Sequence, residues 1–250
     1  MSRQLTLPSG PSASRTVPFT AFGDGLAVLR ELLQAGLRPA NCRLLDADEA
    51  ALTSGGDGER ALLVLGFEEV VEPAERAYEL CRGHGGDVVE GRGGGSGAWR
   101  EAFLRAPYLR DTFVAMGILS ETFETAITWE RLPAFVKAVK GTVREALGPE
   151  GSVSCRLTHA YPDGAAPYFT VLAPVERGAE AERWGAIKAA ASDAVLAAGG
   201  TITHHHAVGR DHRPWYDRQR PEPFATALRA AKAAVDPRGL LNPGVLFDAG

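Results

Sequence analysis

Residues 152–173 read SVSCRLTHAYPDGAAPYFTVLA, and this stretch decides the architecture. Ser152 to Tyr161 and Pro167 to Ala173 are strand-like, and Pro162-Asp163-Gly164 between them is turn chemistry. Proline presets φ, aspartate bonds its own backbone, and glycine accepts a left-handed residue. A β-hairpin follows. Upstream of it, Leu132 to Leu147 carries helical spacing and stops at Gly148-Pro149, and Ile118 to Ile127 reads as a strand. Downstream, Glu180 to Ala198 is an Ala-rich helix closed by Gly199-Gly200, and the β-branched Thr201 to Thr203 reads as a short strand.

The earlier half repeats the rhythm. Thr16 to Phe22 reads as a strand, Asp24 caps a helix with Leu26, Leu29, Leu32 and Leu33 at helical spacing, and Gly36 ends it. Strands Cys42 to Leu45 and Ala61 to Gly66 and a helix Val71 to Arg82 complete the pass, and Ala98 to about Met116 reads as a further helix. Two similar β-α-β passes predict an α+β fold, a duplicated ferredoxin-like antiparallel sheet with helices on one face. A helical tail follows, Pro223 to Val235, stopped by Asp236-Pro237-Arg238-Gly239 before an irregular Leu-Leu-Asn-Pro-Gly run. We expect a flexible end over 1–15, a main domain over 16–203 and a tail over 204–250 that packs on another domain. The run GRGGGSG, Gly91 to Gly97, lacks the register of a phosphate cradle and reads as a loop.

The chain has 250 residues, 45% of them hydrophobic, and a formal net charge of −4 with both signs interspersed. That excludes a basic nucleic-acid surface and a cationic membrane face. Cys42, Cys81 and Cys155 are odd in number and in no CxxC spacing, which argues against disulfides or a zinc ribbon and suits a reducing cytoplasm. No apolar run approaches the about 20 residues a spanning helix needs, and no signal peptide is recognisable.

Chemistry concentrates at His204, His205 and His206, which follow the expected short strand, with Arg210, His212, Arg213 and Trp215 close behind. Adjacent imidazoles near neutral pH can move protons and steady a developing anion. In an extended segment His204 and His206 would share one face and His205 the other. The bland reading is a solvated loop or an incidental metal-binding tract.

The motif THHHAVGRDHRPW (203–215) and the closing DPRGLLNPGVLF (236–247) resemble the C-terminal part of FAD-linked oxidases of the vanillyl-alcohol-oxidase type, and within them the alkyldihydroxyacetonephosphate synthases. Pro39 to Asp46 (PANCRLLD), Tyr108 to Asp111 (YLRD), Glu121 to Thr125 (ETFET) and Trp129 match further segments in order. The resemblance runs from about Pro18 to Phe247. It implies FAD as cofactor and Tyr168, His204, His205 and His206 as catalytic residues. It implies Arg43, Arg110 and His159 on the substrate, with Arg43 suited to a phosphate, and Asn242 and His206 near the flavin. Arg110, Glu121, Glu124 and Trp129 either line a pocket or knit helix to strand, with the structural role preferred; His84 reads as a loop residue.

The implied reaction is exchange of the acyl group of an acyl-dihydroxyacetone phosphate for a long-chain alcohol, a step toward ether lipids. The rival within the superfamily is a metal-assisted FAD-dependent 2-hydroxy-acid dehydrogenase. There His159 matches the first histidine, but the second falls near Tyr168 and the required glutamate near His205, so a metal-free site is expected. The family's FAD-binding domain precedes this region and has no match here. The resemblance therefore implies a fragment, a truncated product or one subunit of a split enzyme, assembling with a separate FAD-binding subunit or as a homodimer, or else a non-catalytic domain.

Overall fold

The computed structural model describes residues 13–54, 56–68, 71–88 and 108–247. The glycine-rich run 91–97, the start of the helix expected from Ala98 and residues 1–12 lie outside them. The chain forms two compact units, Met1–Met116 with Ser154–Ala165, and Gly117–Val153 with Ala166–Gly250.

The first unit holds β1 (Ala13–Phe19), α1 (Phe22–Gln34), β2 (Asn41–Leu45), α2 (Ala47–Ser54), β3 (Ala61–Phe67), α3 (Val71–Gly83) and α4 (described over 108–115), together with most of β6 (Ser152–Ala160). Its strands lie in the order β1-β3-β2-β6, antiparallel throughout. Alternation sorts the side chains. Leu44 and Leu63 pair on the face that Leu29 and Leu32 of α1 and Tyr78 of α3 cover, all fully buried. Leu45 and Val64 fall on the other face and pack against Ala50 of α2. Gly25 is glycine for space, because a Cβ there would sit 2.5 Å from Leu44 Cδ1. Helix α1 ends as the sequence predicts. Gly36 takes φ +77, and the N–H groups of Gly36 and Leu37 reach back to Leu33 O and Leu32 O.

Two boundaries move. The first strand ends at Phe19 and Phe22 already begins α1, so Asp24 lies in the first turn rather than at the cap, with no side-chain cap bond at Ala21. Helix α1 thus starts on its backbone alone.

The second unit holds β4 (Ile118–Glu124), β5 (Ile127–Thr128), α5 (Leu132–Leu147), the body of β7 (Gly164–Pro174), α6 (Glu180–Ala197), α7 (Arg213–Gln219) and α8 (Glu222–Val235). Strand β7 pairs antiparallel with β4 and also with β5. The single strand expected from Ile118 to Ile127 is broken at Ala126, whose N–H and carbonyl both go to Thr201, while Thr125 keeps its N–H on Pro167 O and gives its hydroxyl to Thr201 O. Helices α5 and α6 pack together, and α5 buries Phe135, Val136, Val139 and Val143 at helical spacing. Each unit is thus an antiparallel sheet with packed helices, the α+β class expected from two β-α-β passes. Among the described residues no helix is long and apolar enough to cross a membrane.

The tail after α8 is irregular, as its proline and glycine content predicts, and it is pinned by side chains. Arg210, Arg213 and Arg220 donate to the carbonyls of Pro243, Gly244 and Leu246. Asp236 accepts from the N–H groups of Leu240 and Leu241 at 3.0 and 2.9 Å and pairs with Lys232, whose ammonium holds its carboxyl below the usual range.

Candidate active site

The site of the second unit starts from a strand register. Glu124 at the end of β4 stands opposite Tyr168 on β7, and directly opposed residues of an antiparallel pair place their side chains on the same face. One step along, Phe123 and Phe169 face the other way and stack at 4.8 Å between ring centroids, 17° from parallel. The apolar pair locks the polar one in register.

Over this pair lies the segment after α6. Helix α6 ends with Gly199 at φ +78, and the N–H groups of Gly199 and Gly200 return to Leu196 O and Val195 O. Thr201 to Thr203 is not a strand. Thr201 exchanges backbone and side-chain hydrogen bonds with Thr125 and Ala126, and the N–H of Ile202 goes to Gln219 Oε1 at 2.9 Å. With the Thr201 N–H on the Ala126 carbonyl and the Thr201 carbonyl and Ile202 N–H on side chains, no strand is left to extend.

The consequence falls on the histidines, where strand alternation fails because residues 204–206 form a bend. His204 and His205, expected on opposite faces, lie with ring centroids 4.1 Å apart, and both turn Nδ1 toward Glu124 Oε1, at 3.9 and 3.5 Å. The backbone N–H of His205 donates to the other oxygen, Oε2, at 2.9 Å. His206 goes elsewhere, meeting the Tyr168 ring edge-on, 5.1 Å between centroids at 85°. Burial pushes the His206 imidazolium below its ordinary pKa, and the Glu124 carboxylate only partly offsets this. His206 is therefore a neutral base at neutral pH, beside a phenol.

His212, the N-cap residue of α7, is buried. Its Nδ1 donates toward the carbonyls of Ala207 and Val208, at 3.0 and 3.1 Å, and burial also depresses its pKa. It staples the left-handed turn at Ala207, φ +62, that carries the chain away from the histidines.

Glu124, 2% exposed, is the site residue that sequence reasoning assigned to structure. Glu121 in the same segment does take the structural role, accepting from Trp184 Nε1 and facing Lys188 Nζ at 3.5 Å on α6. Trp129 is likewise core, 5% exposed. The signal that separates the two glutamates was the spacing of three, which puts them on opposite faces of a strand.

Arg43, Arg110 and His159 belong to the first unit. Arg43 on β2 is half-buried, and burial together with the neighbouring Arg156 lowers its pKa to about 10, which leaves it cationic at neutral pH. Arg156 itself is paired with Glu49. Arg110 on α4 and His159 on β6 are exposed, His159 with Nδ1 3.4 Å from Thr158 Oγ1. Asn242 is exposed in the pinned tail and takes a left-handed turn, φ +47, a conformation asparagine tolerates. His84, read as a loop residue, closes on Glu31 at 2.9 Å.

Comparison with known proteins identifies the family. The family model described as FAD linked oxidases, C-terminal domain, matches residues 11–246. The chain is 29% identical to alkyldihydroxyacetonephosphate synthase of Caenorhabditis elegans over 92% of its own length and 44% of the relative's. It is 30% identical to the synthase of Trypanosoma brucei brucei over 60% of the chain and 25% of that protein. It therefore spans less than half the length of these curated relatives. A solved alkyldihydroxyacetonephosphate synthase superposes with a TM-score of 0.72 at 16% identity, over 91% of this chain and 44% of that one. This chain belongs to the C-terminal domain family of the FAD-linked oxidases, whose cofactor is FAD.

The residues present fit one part of that cofactor. Tyr168 and His206 offer a phenol and a neutral imidazole suited to the reacting end. The first turn of α1, with Gly23-Asp24-Gly25, is no pyrophosphate cradle: Asp24 puts a negative charge there, and Gly25 is there to admit Leu44.

Proposed function

We propose that this chain is the substrate-side part of an FAD-dependent enzyme of the alkyldihydroxyacetonephosphate synthase type, exchanging the acyl chain of an acyl-dihydroxyacetone phosphate for a long-chain alcohol. The observation that carries the reading is the edge-on pair of Tyr168 and His206 with the Glu124 carboxylate behind it. A neutral imidazole beside a phenol takes a proton from an attacking alcohol and returns one to a leaving carboxylate. Tyr168 Oη and the His206 ring are the two stations. Arg43, cationic and half-buried, suits the substrate phosphate, and Arg110 and His159 are further candidates for holding it. When bound, FAD supplies the electron-accepting ring on which the exchange depends, with His206 and Asn242 as its neighbours from this chain. The flavin's phosphates would be held by a separate subunit or preceding domain. Three free cysteines and interspersed charge suit work in a reducing cytoplasm, as a homodimer or with such a subunit.

The test combines the purified chain, an FAD-binding partner or N-terminal half of a relative, acyl-dihydroxyacetone phosphate and a long-chain alcohol. Release of fatty acid matched by alkyl-dihydroxyacetone phosphate, lost in Tyr168→Phe, supports the proposal. Oxidation of a 2-hydroxy acid by the same mixture, with no exchange product, overturns it. Before the assay, the absorption spectrum after gel filtration with added FAD shows whether the chain retains the cofactor alone.

A further inference from the structure

We propose that Glu124, His204 and His205 form a binding site for one divalent transition-metal ion, distinct from the Tyr168–His206 pair. The three offer a carboxylate oxygen and two imidazole nitrogens that all lie within 4.8 Å of one another. The separations discriminate between a hydrogen-bonded cluster and a shared ion. A nitrogen donating to a carboxylate sits about 2.7–3.2 Å from it, whereas the Nδ1 atoms of His205 and His204 stand 3.5 and 3.9 Å from Glu124 Oε1. Donors sharing a tetrahedral zinc at bonds of about 2.0–2.1 Å lie roughly 3.3 Å apart. The two distances to the carboxylate match the second spacing, and all three donor atoms lie within 4.8 Å of one another, so small side-chain shifts bring them onto one ion.

The surroundings favour the same occupant. Glu124 is fixed from behind, its Oε2 held by the His205 N–H at 2.9 Å, which leaves Oε1 aimed between the two rings. Its side chain is 2% exposed, and one cation shared by two neutral imidazoles whose rings lie 4.1 Å apart would sit beside it without the mutual repulsion of two imidazolium ions. His205 remains 47% exposed, so solvent reaches the open side and can complete the coordination. Two nitrogens and one oxygen select zinc, cobalt, nickel or ferrous iron over magnesium and calcium, which take oxygen ligands.

The probe is cobalt(II), whose visible bands report coordination by nitrogen and oxygen, added to the untagged 250-residue chain after chelator treatment. One cobalt per chain is expected, with affinity falling at least about tenfold in Glu124→Gln and in His205→Gln and unchanged in His84→Gln, which alters an exposed histidine in the first unit. His205→Gln removes a half-exposed side chain and keeps the test open where Glu124→Gln fails to fold. Absence of uptake by the wild-type chain, uptake retained in His205→Gln, or loss of uptake in His84→Gln would overturn the proposal.

Discussion

Replacing Gly200 with alanine tests how the histidine segment is held. Gly200 closes α6 and immediately precedes Thr201. A Cβ at that position would stand 2.5 Å from Cε2 and 2.8 Å from Cζ of Phe135, and 2.9 Å from Thr125 Oγ1. Phe135 is 2% exposed and cannot swing away, so the segment itself must retreat by about 1 Å to reach ordinary contact distance. Overpacking of this kind costs about 1–3 kcal/mol, and for a chain of this size each kcal/mol lowers Tm by roughly 2–4 °C, giving a fall of about 2–12 °C. The retreat also pulls Thr201 from Thr125 and slackens the His205 N–H bond to Glu124, so the His206 titration should move with the melting point. Far-UV circular dichroism and histidine NMR read the two effects on one sample. Gly141→Ala in α5 and Gly185→Ala in α6 are the controls, since a Cβ at either meets nothing within 4 Å. Both should stabilise by about 0.5–1 kcal/mol, because glycine costs that much inside a helix. A Gly200→Ala chain that melts with the wild type, or above it, would refute the packing argument.

Stability should fall as pH drops below the ordinary histidine value. The folded chain holds His206 and His212 with lowered pKa values, so between the folded and unfolded values the unfolded state binds more protons and folding weakens as pH decreases. Melting curves from pH 7.5 downward should show this, and His212→Asn, which keeps a donor for the Ala207 and Val208 carbonyls, should flatten the slope; an unchanged slope would mean that His212 does not contribute. Cys81 is fully buried and its thiol is pushed up to about 12, so a thiol reagent at pH 8 should modify it only on unfolding. Rapid native labelling at Cys81, located by mass spectrometry, would contradict that burial. Leu240 and Leu241 are 61% and 62% exposed, so Leu240→Ser with Leu241→Ser should leave the unfolding free energy within about 1 kcal/mol of wild type. The same change should weaken binding to an FAD-binding partner measured by titration calorimetry, if the tail docks there.

What could be read before any coordinates follows from how local each signal is. The chain reversal at Pro162-Asp163, the glycine ends of α1 and α6 and the periodicity of α5 depend on neighbouring residues alone and lie where their residues call for them, although Gly164 is already the first residue of β7 and takes no left-handed conformation. The histidine segment depends on residues about eighty positions away. Thr201 to Thr203 has every local attribute of a strand, yet Thr125, Ala126 and Gln219 take its backbone groups first. Once that competition is lost, alternation ceases to apply and His205 can join His204 on Glu124 instead of facing away from it. The two glutamates of the 121–125 segment make the same point from the other side. Identical in type and three residues apart, they are separated in role by strand parity, and parity becomes decisive only when the Glu124–Tyr168 register is known. The fold class was therefore legible because it sums many local preferences, each tolerant of a boundary error of two or three residues. The site was legible only as a set of residues, because its geometry turns on a single register and a single competing hydrogen-bond set, and one residue's slip in either would hand Glu124 to the opposite face.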